Sequence, residues 1–206
     1  DPSGRVLRIV EHKDAGSEEL AIAEVNTGFL IADRRRLDDW LSRVGPNNVQ
    51  GEHYLTDVVG LAVADGVQVA TSRSASVEEV AGINDRIQLA ALERFYQARR
   101  AEELMGEGVT LLDPGRFDIR GRLKVGRDVV IDVNVVIEGD VILGDGVSIG
   151  PNCLLKDCTV GADTEVYANC VIEGAAVGSG ARIGPFARLR PGAALADSVH
   201  IGNFVE

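Results

Sequence analysis

Three cysteines, Cys153, Cys158 and Cys170, are the residues of this chain most open to a metal or redox reading. Their odd number and their places argue otherwise. Each stands where neighbouring repeats carry Val or Ala, so each reads as a small buried hydrophobe. His12, His53 and His200 are scattered and make no defensible site. Four other residues carry more. Glu11 ends an apolar run, either as a solvated carboxylate or as an acceptor for a ligand's hydroxyls. Asn26 opens an Asn-Thr-Gly break inside a strand-like run, where Gly28 marks a bulge or a close ligand and Asn26 itself can be a plain turn former. Asn84 precedes a helix-forming tract, as a cap or as a donor of an amide oxygen. Arg190 follows an apolar repeat position and so faces outward, where an arginine is ordinarily a solvated cation.

The element that must hold Arg190 and the cysteines is a six-residue repeat. Ile119, Val125, Ile131, Ile137, Leu143, Ile149 and Leu155 open successive hexads; the count slips by one and resumes at Val160, Val166 and Ile172. It slips again and runs on through Val177, Ile183, Leu189, Leu195 and Ile201. The position two residues before each opener is nearly as restricted, from Phe117 and Leu123 through Val, Cys, Thr and Ala to Val199. Residues i−2 and i share one face of a strand, so each hexad buries two side chains and then turns. Three hexads make one coil, and coils gain stability by stacking on one another. A sandwich of alternating strands would not hold a fixed period over this length.

Before the repeat, the pattern changes. Residues 6–12, 20–32 and 67–70 read as strands. Asp33 is placed to cap a helix burying Leu37, Trp40, Leu41 and Val44, with Gly45-Pro46 ending it, and a second helix carries Val58, Val59, Leu61 and Ala62. Strands alternating with helices give an α/β part, with too few strands to close a doubly wound sheet. Residues 87–107 are rich in helix formers, with Leu89, Leu92, Phe95 and Tyr96 on one side and Gly106 to stop them, and read as a rigid linker. The expected organisation is therefore 1–86 as an α/β portion, 87–107 as the linker helix and 108–206 as solenoid coils. The opening without Met and the end in mid-repeat suggest an internal fragment.

The 206 residues carry a formal net charge of −11 and are 45% hydrophobic. That balance, with no basic cluster, argues against nucleic acid, and no eighteen-residue apolar run is present to span a membrane.

The runs IVEHKDA (9–15), EVNTGFLIA (24–32), QGEHYLTD (50–57), GINDRIQLA (82–90), DPGRFDIRG (113–121), DVNVVIEG (132–139) and GPFARLRPGA (184–193), then HIGNFVE, resemble in this order a bacterial bifunctional family. Its members are N-acetylglucosamine-1-phosphate uridylyltransferases and glucosamine-1-phosphate acetyltransferases. The resemblance implies a Rossmann-like nucleotide-sugar transferase portion, a linker helix and a left-handed parallel β-helix, the hand coming from the resemblance alone. It implies acetylation of glucosamine-1-phosphate by acetyl-CoA, then UMP transfer from UTP with Mg²⁺, giving UDP-N-acetylglucosamine for cell-wall precursors. It implies a cytoplasmic homotrimer that engages small-molecule substrates.

Residue by residue, the resemblance gives Glu11, Asn26 and Asn84 to UDP-N-acetylglucosamine, Asn84 also to Mg²⁺, and Arg190 to the phosphate of glucosamine-1-phosphate. Glu52, Tyr54 and Thr56 fall in a stretch like the sugar-site wall; His53 departs from the family's usual aromatic and is not carried over. The nucleotide loop and a first Mg²⁺ aspartate are expected before Asp1, and the acetyltransferase base beyond Glu206, so no catalytic residue is expected within these residues. Two other readings stand beside this one: a single-function sugar-1-phosphate nucleotidyltransferase with a structural β-helix, and a non-catalytic oligomerising solenoid.

Overall fold

A computed structural model describes residues 4–206. The chain divides into two compact units, 1–83 and 84–206.

In the second unit the hexads become a parallel β-solenoid of about five turns. Thr110–Leu111, Val130–Ile131, Ser148–Ile149, Glu165–Val166, Arg182–Ile183 and His200–Ile201 stack in parallel as one sheet. The other two faces merge into a second sheet, because Phe117–Val125 and Val135–Leu143 run unbroken through a corner. Register confirms the slips. Val130 pairs with Ser148, eighteen residues on, whereas Ser148 pairs with Glu165 and Glu165 with Arg182, seventeen on in each case.

Every opener from Ile119 to Leu189 except Val125 is buried, and the inward i−2 positions fill the rest of the core. A coil one residue shorter encloses less space, and interiors are close-packed. In the short coils the i−2 residues accordingly shrink from Val to Cys153, Cys158, Thr164, Cys170, Ala175 and Ala181, all buried.

The corners explain why the repeat can turn so tightly. Three columns of left-handed residues run down them. One is Asn134, Asn152, Asn169, Phe186 and Phe204, with φ between 56° and 60°. Asn tolerates that region, whereas a bulky ring there is uncommon; Phe186 and Phe204 stack on each other with centroids 5.4 Å apart. At Gly121 the constraint is space: an added Cβ would lie 2.1 Å from the carbonyl oxygen of Gly139 in the next coil.

Helix α4, Arg86–Gly106, leads into the solenoid. Its last turn ends in a Schellman motif. The N–H of Val109 reaches the Leu104 carbonyl at 3.0 Å, that of Gly108 reaches Met105 at 3.1 Å, and Gly108 supplies φ +99°. Leu104 and Val109 are both buried, the apolar contact that accompanies this motif. The stop is thus set by Gly108, and Gly106 is the last helical residue.

α4 is more than a spacer. Leu89, Phe95 and Tyr96, expected to form its apolar side, are exposed; Gln97, Ala101 and Leu104 are the buried ones. Gln97 is 3% exposed, donates to the Ile119 carbonyl at 2.8 Å and accepts the Ile119 N–H at 2.8 Å. Its amide stands in for the neighbouring strand that the first coil lacks. The helix therefore closes the open end of the solenoid.

The first unit contains α1, Ser17–Leu20, α2, Arg34–Arg43, and α3, Asp57–Ala64. Asp33 caps α2 as expected, accepting from the N–H groups of Arg35 and Arg36 at 3.1 Å. Val58, Val59, Ala62 and Trp40 form a small core, with Leu37 and Val44 against it; Leu41 is exposed instead. Trp40 donates its indole N–H to Asp65 at 2.8 Å. Arg43 and Trp40, by hydrogen bonding, hold the Asp65 carboxyl below the usual range.

The segments expected as strands, 6–12, 20–32 and 67–70, are not strands among the described residues, and residue 20 closes α1. A strand exists only beside a partner, and these segments have none here. Val6, Ile9, Ala32, Val67 and Val69 pack half-buried against the small core, whereas Ile22, Val25, Phe29 and Ile31 are exposed.

Candidate functional site

In the first unit, three of the residues singled out above come together. Thr56 precedes α3 at the position where a hydroxyl usually caps the helix, but it makes no cap. Its Oγ1 donates instead to Glu11 Oε1 at 2.9 Å. Thr56 also lines a cavity of about 50 Å³ with Asn26, Gly28, Ile9, Leu55 and Val59. Two polar groups, Asn26 and Thr56, thus face a mostly apolar wall, and Glu11 holds one of them.

The loop beside it is tied down by its own polar groups. Asn48 Oδ1 accepts the N–H groups of Gln50 and Glu52 at 3.1 Å. Gln50 donates to Tyr54 Oη at 2.7 Å and accepts from Lys13, while Val49 N–H donates to Asp14 Oδ1 at 2.8 Å. Asp14 Oδ2 is buried without a partner. Burial first, opposed by the Gln50 hydrogen bond and aided by the nearby carboxylates Asp14, Glu52 and Glu11, pushes the Tyr54 phenol above its usual range, so that it stays neutral. Glu52 and His53 are exposed. Thr56 was visible in the sequence only as part of a family-like stretch. Its link to Glu11 spans 45 residues, and no local pattern announces it.

Asn84 lies in the second unit, at the head of α4. The capping role that its position suggests belongs to Asp85, whose Oδ1 accepts the Gln88 N–H at 2.8 Å. Asn84 gives its own backbone N–H to Gln88 Oε1 at 2.7 Å. Taken alone it offers a single neutral oxygen, less than Mg²⁺ requires of a protein. Among the described residues no group of three His, Cys, Asp or Glu side chains could hold a metal.

Arg190 follows the strand Arg188–Leu189 and is exposed, as its outward position requires. Its Nε donates to Glu206 Oε1 at 2.9 Å. Arg188 reaches the same oxygen at 3.6 Å and Glu173 at 3.5 Å. His12, His53 and His200 are exposed and separate.

The cysteines behave as buried hydrophobes. All three are free and at most 3% exposed. Burial pushes the Cys158 thiol up to about 12. A hydrogen bond with Cys170, together with burial, keeps Cys153 protonated. A wider cavity of about 230 Å³ at the first coil is lined by Arg94, Arg116, Asp118 and Asn134. Its arginines are neutralised by Asp118 at 2.8 Å and Asp113 at 2.7 Å.

Fold and repeat together define a hexapeptide-repeat protein, a parallel β-helix closed at one end by a helix. Residues 119–205 match a family model described as GMPPB C-terminal domain. The Bifunctional protein GlmU of Azotobacter vinelandii (strain DJ / ATCC BAA-1303) is 60% identical over 134 residues, 65% of this chain and 30% of that protein. The same-named proteins of Stutzerimonas stutzeri (strain A1501) and Pseudomonas aeruginosa (strain UCBPP-PA14) are 58% and 57% identical over the same length and shares. Across those 134 residues the chain is a homologue of the bifunctional GlmU proteins, the family its motifs resemble. It spans about 30% of the length of these curated relatives.

Proposed function

We propose that these residues are part of a bifunctional enzyme that acetylates glucosamine-1-phosphate with acetyl-CoA and then joins the product to UMP from UTP. The product is UDP-N-acetylglucosamine, and pyrophosphate is released. The observation that carries the reading is the 60% identity over 134 residues to a bifunctional GlmU protein. Asn26 and Thr56 line one small cavity and Glu11 accepts from Thr56, an arrangement that supports the sugar-nucleotide half. In this reading Glu11 and Asn26 contact UDP-N-acetylglucosamine, and Asn84 contacts it and lends one carbonyl to Mg²⁺. Arg190 grips the acetyl acceptor's phosphate, a task suited to a planar, permanent cation.

The domain limits proposed are 1–86, 87–107 and 108–206, in a cytoplasmic homotrimer that binds neither nucleic acid nor membrane. Among the described residues no helix is long and apolar enough to cross a membrane. The 206 residues alone are expected to turn over neither reaction.

The two halves separate by mutation in the complete protein. Arg190→Ala is expected to impair acetyl transfer by about 1.5–3 kcal/mol, the worth of a charge-assisted hydrogen bond, and to spare uridylyl transfer. Asn84→Ala is expected to do the reverse. Assaying each reaction on each purified variant decides it; the opposite pattern, or no effect in either, overturns the assignments.

A further inference from the structure

We infer that Asp14 is a positioning residue of the sugar-nucleotide site: through the backbone of Val49 it fixes the 48–56 segment, and with it Leu55 and Thr56, against the turn that carries Glu11. It rests on the assignment of Glu11 and Asn26 to the nucleotide sugar given above, and adds to them a residue that acts only through others.

Side-chain burial gives the 48–56 segment little hold. Val49 and Leu55 are 75% and 54% exposed, and Thr56 stands before α3 without capping it. The segment does carry internal order. Asn48 Oδ1 accepts from Gln50 and Glu52, the Gly51 N–H reaches the Asn48 carbonyl at 3.1 Å, and Gly51 supplies φ +67°. A loop tied to itself in this way moves as a piece, so its place is set by the bonds that join it to its surroundings.

Three of those bonds come from one turn, which the Asp14 N–H closes onto the Glu11 carbonyl at 2.9 Å. Glu11 accepts from Thr56, Lys13 donates to Gln50, and Asp14 Oδ1 accepts the Val49 N–H at 2.8 Å. The partners descend as the turn ascends, so the segment runs back along it and is held at both ends. Lys13 and Gln50 are exposed, and a bond between them competes with water. Asp14 is half-buried, and its Oδ2 is buried without a partner. An unpaired buried carboxylate oxygen opposes folding, and a cost of that kind is expected where a residue serves a site.

The consequence falls on the cavity wall. Leu55 and Thr56, which line the cavity with Asn26 and Gly28, are placed by α3 on one side and by the loop on the other. Without Asp14 the Val49 end is released, and the bond between Thr56 and Glu11 must hold the wall alone. A looser wall binds the sugar substrate less well in the ground state and the transition state alike. That pattern raises KM and leaves kcat in place.

The test has two arms, each comparing wild type with Asp14→Ala and Asp14→Asn. In the 206-residue chain, amide hydrogen exchange at Val49 is followed by NMR. Ala is expected to speed it about tenfold, the loss of one charge-assisted hydrogen bond. Asn keeps the Oδ1 acceptor and is expected to protect Val49 as wild type does. In the complete protein, Asp14→Ala is expected to raise the KM for N-acetylglucosamine-1-phosphate in uridylyl transfer about tenfold. There kcat and acetyl transfer should hold, and Asp14→Asn should restore KM. If Asp14→Ala leaves Val49 exchange or KM as in wild type, the inference falls. It falls equally if Asn is as damaging as Ala, or if both reactions decline together, which marks a fold defect. Glu11→Ala serves as the separate check: an unchanged KM there overturns the reading of Glu11, while the Val49 arm, which uses no substrate, still decides whether Asp14 holds the loop.

Discussion

Cys158 stands in an inward column that runs Leu123, Val141, Cys158, Ala175, Ala193 down one face of the solenoid. It is the thiol whose titration burial alone dominates, from about 9 to about 12. Because the folded-state value is raised, the contribution to stability is fully present below pH 9 and is lost as pH climbs toward 12. At 1.36 kcal/mol per unit the loss is at most about 4 kcal/mol. Cys158→Ala puts in the residue of the next coil and is expected to flatten that decline, as measured by urea unfolding at pH 8, 10 and 11. Equal slopes in wild type and variant would exclude the thiol as the cause. The burial of all three cysteines was legible in the sequence because the hexad fixes which residues point inward. Thr56 was not, since nothing local tells a helix-start threonine that caps from one that serves a carboxylate 45 residues away.

At the scale of elements, the solenoid's period and slips could be read directly, because each hexad repeats the same physical task. The end of the solenoid could not. Gln97 sits among charged residues in a polar helix, so its pattern reads as surface, yet it completes the hydrogen bonding of Ile119. Likewise Leu89, Phe95 and Tyr96 have the composition of a buried stripe and are exposed. The segments 6–12, 20–32 and 67–70 have strand composition without strand partners, and only tertiary context could decide that. Gln97→Leu keeps the packing volume but leaves the Ile119 N–H and carbonyl unpaired and buried. It is expected to cost about 2–5 kcal/mol, measured by chemical denaturation of the chain. Faster amide hydrogen exchange at Ile119 would accompany it. A variant as stable as wild type, with Ile119 still protected, would mean that the helix caps the coil by apolar contact alone.

At the scale of the molecule, the two units differ greatly in what holds them. The solenoid's core runs continuously from Ala101 to Leu189, each coil buried by the next. The first unit's core among the described residues is Trp40, Val58, Val59 and Ala62, with apolar residues such as Ile22, Phe29 and Ile31 left in water. Buried apolar area is the main term opposing chain entropy, so the smaller core should fail first. The chain has one tryptophan, Trp40, and it lies in the first unit, hydrogen-bonded to Asp65. Its fluorescence therefore reports that unit alone, while the far-ultraviolet β signal comes from the solenoid. Followed in guanidinium chloride, the tryptophan transition is expected at a clearly lower midpoint than the circular-dichroism transition at 218 nm (roughly the β minimum), since coincidence of probes is the mark of two-state unfolding. Asp65→Asn, which weakens the bonds to Trp40 and Arg43, should lower the fluorescence midpoint further and leave the other in place. If both probes traced one curve, and Asp65→Asn moved them together, the two units would be folding as one cooperative body.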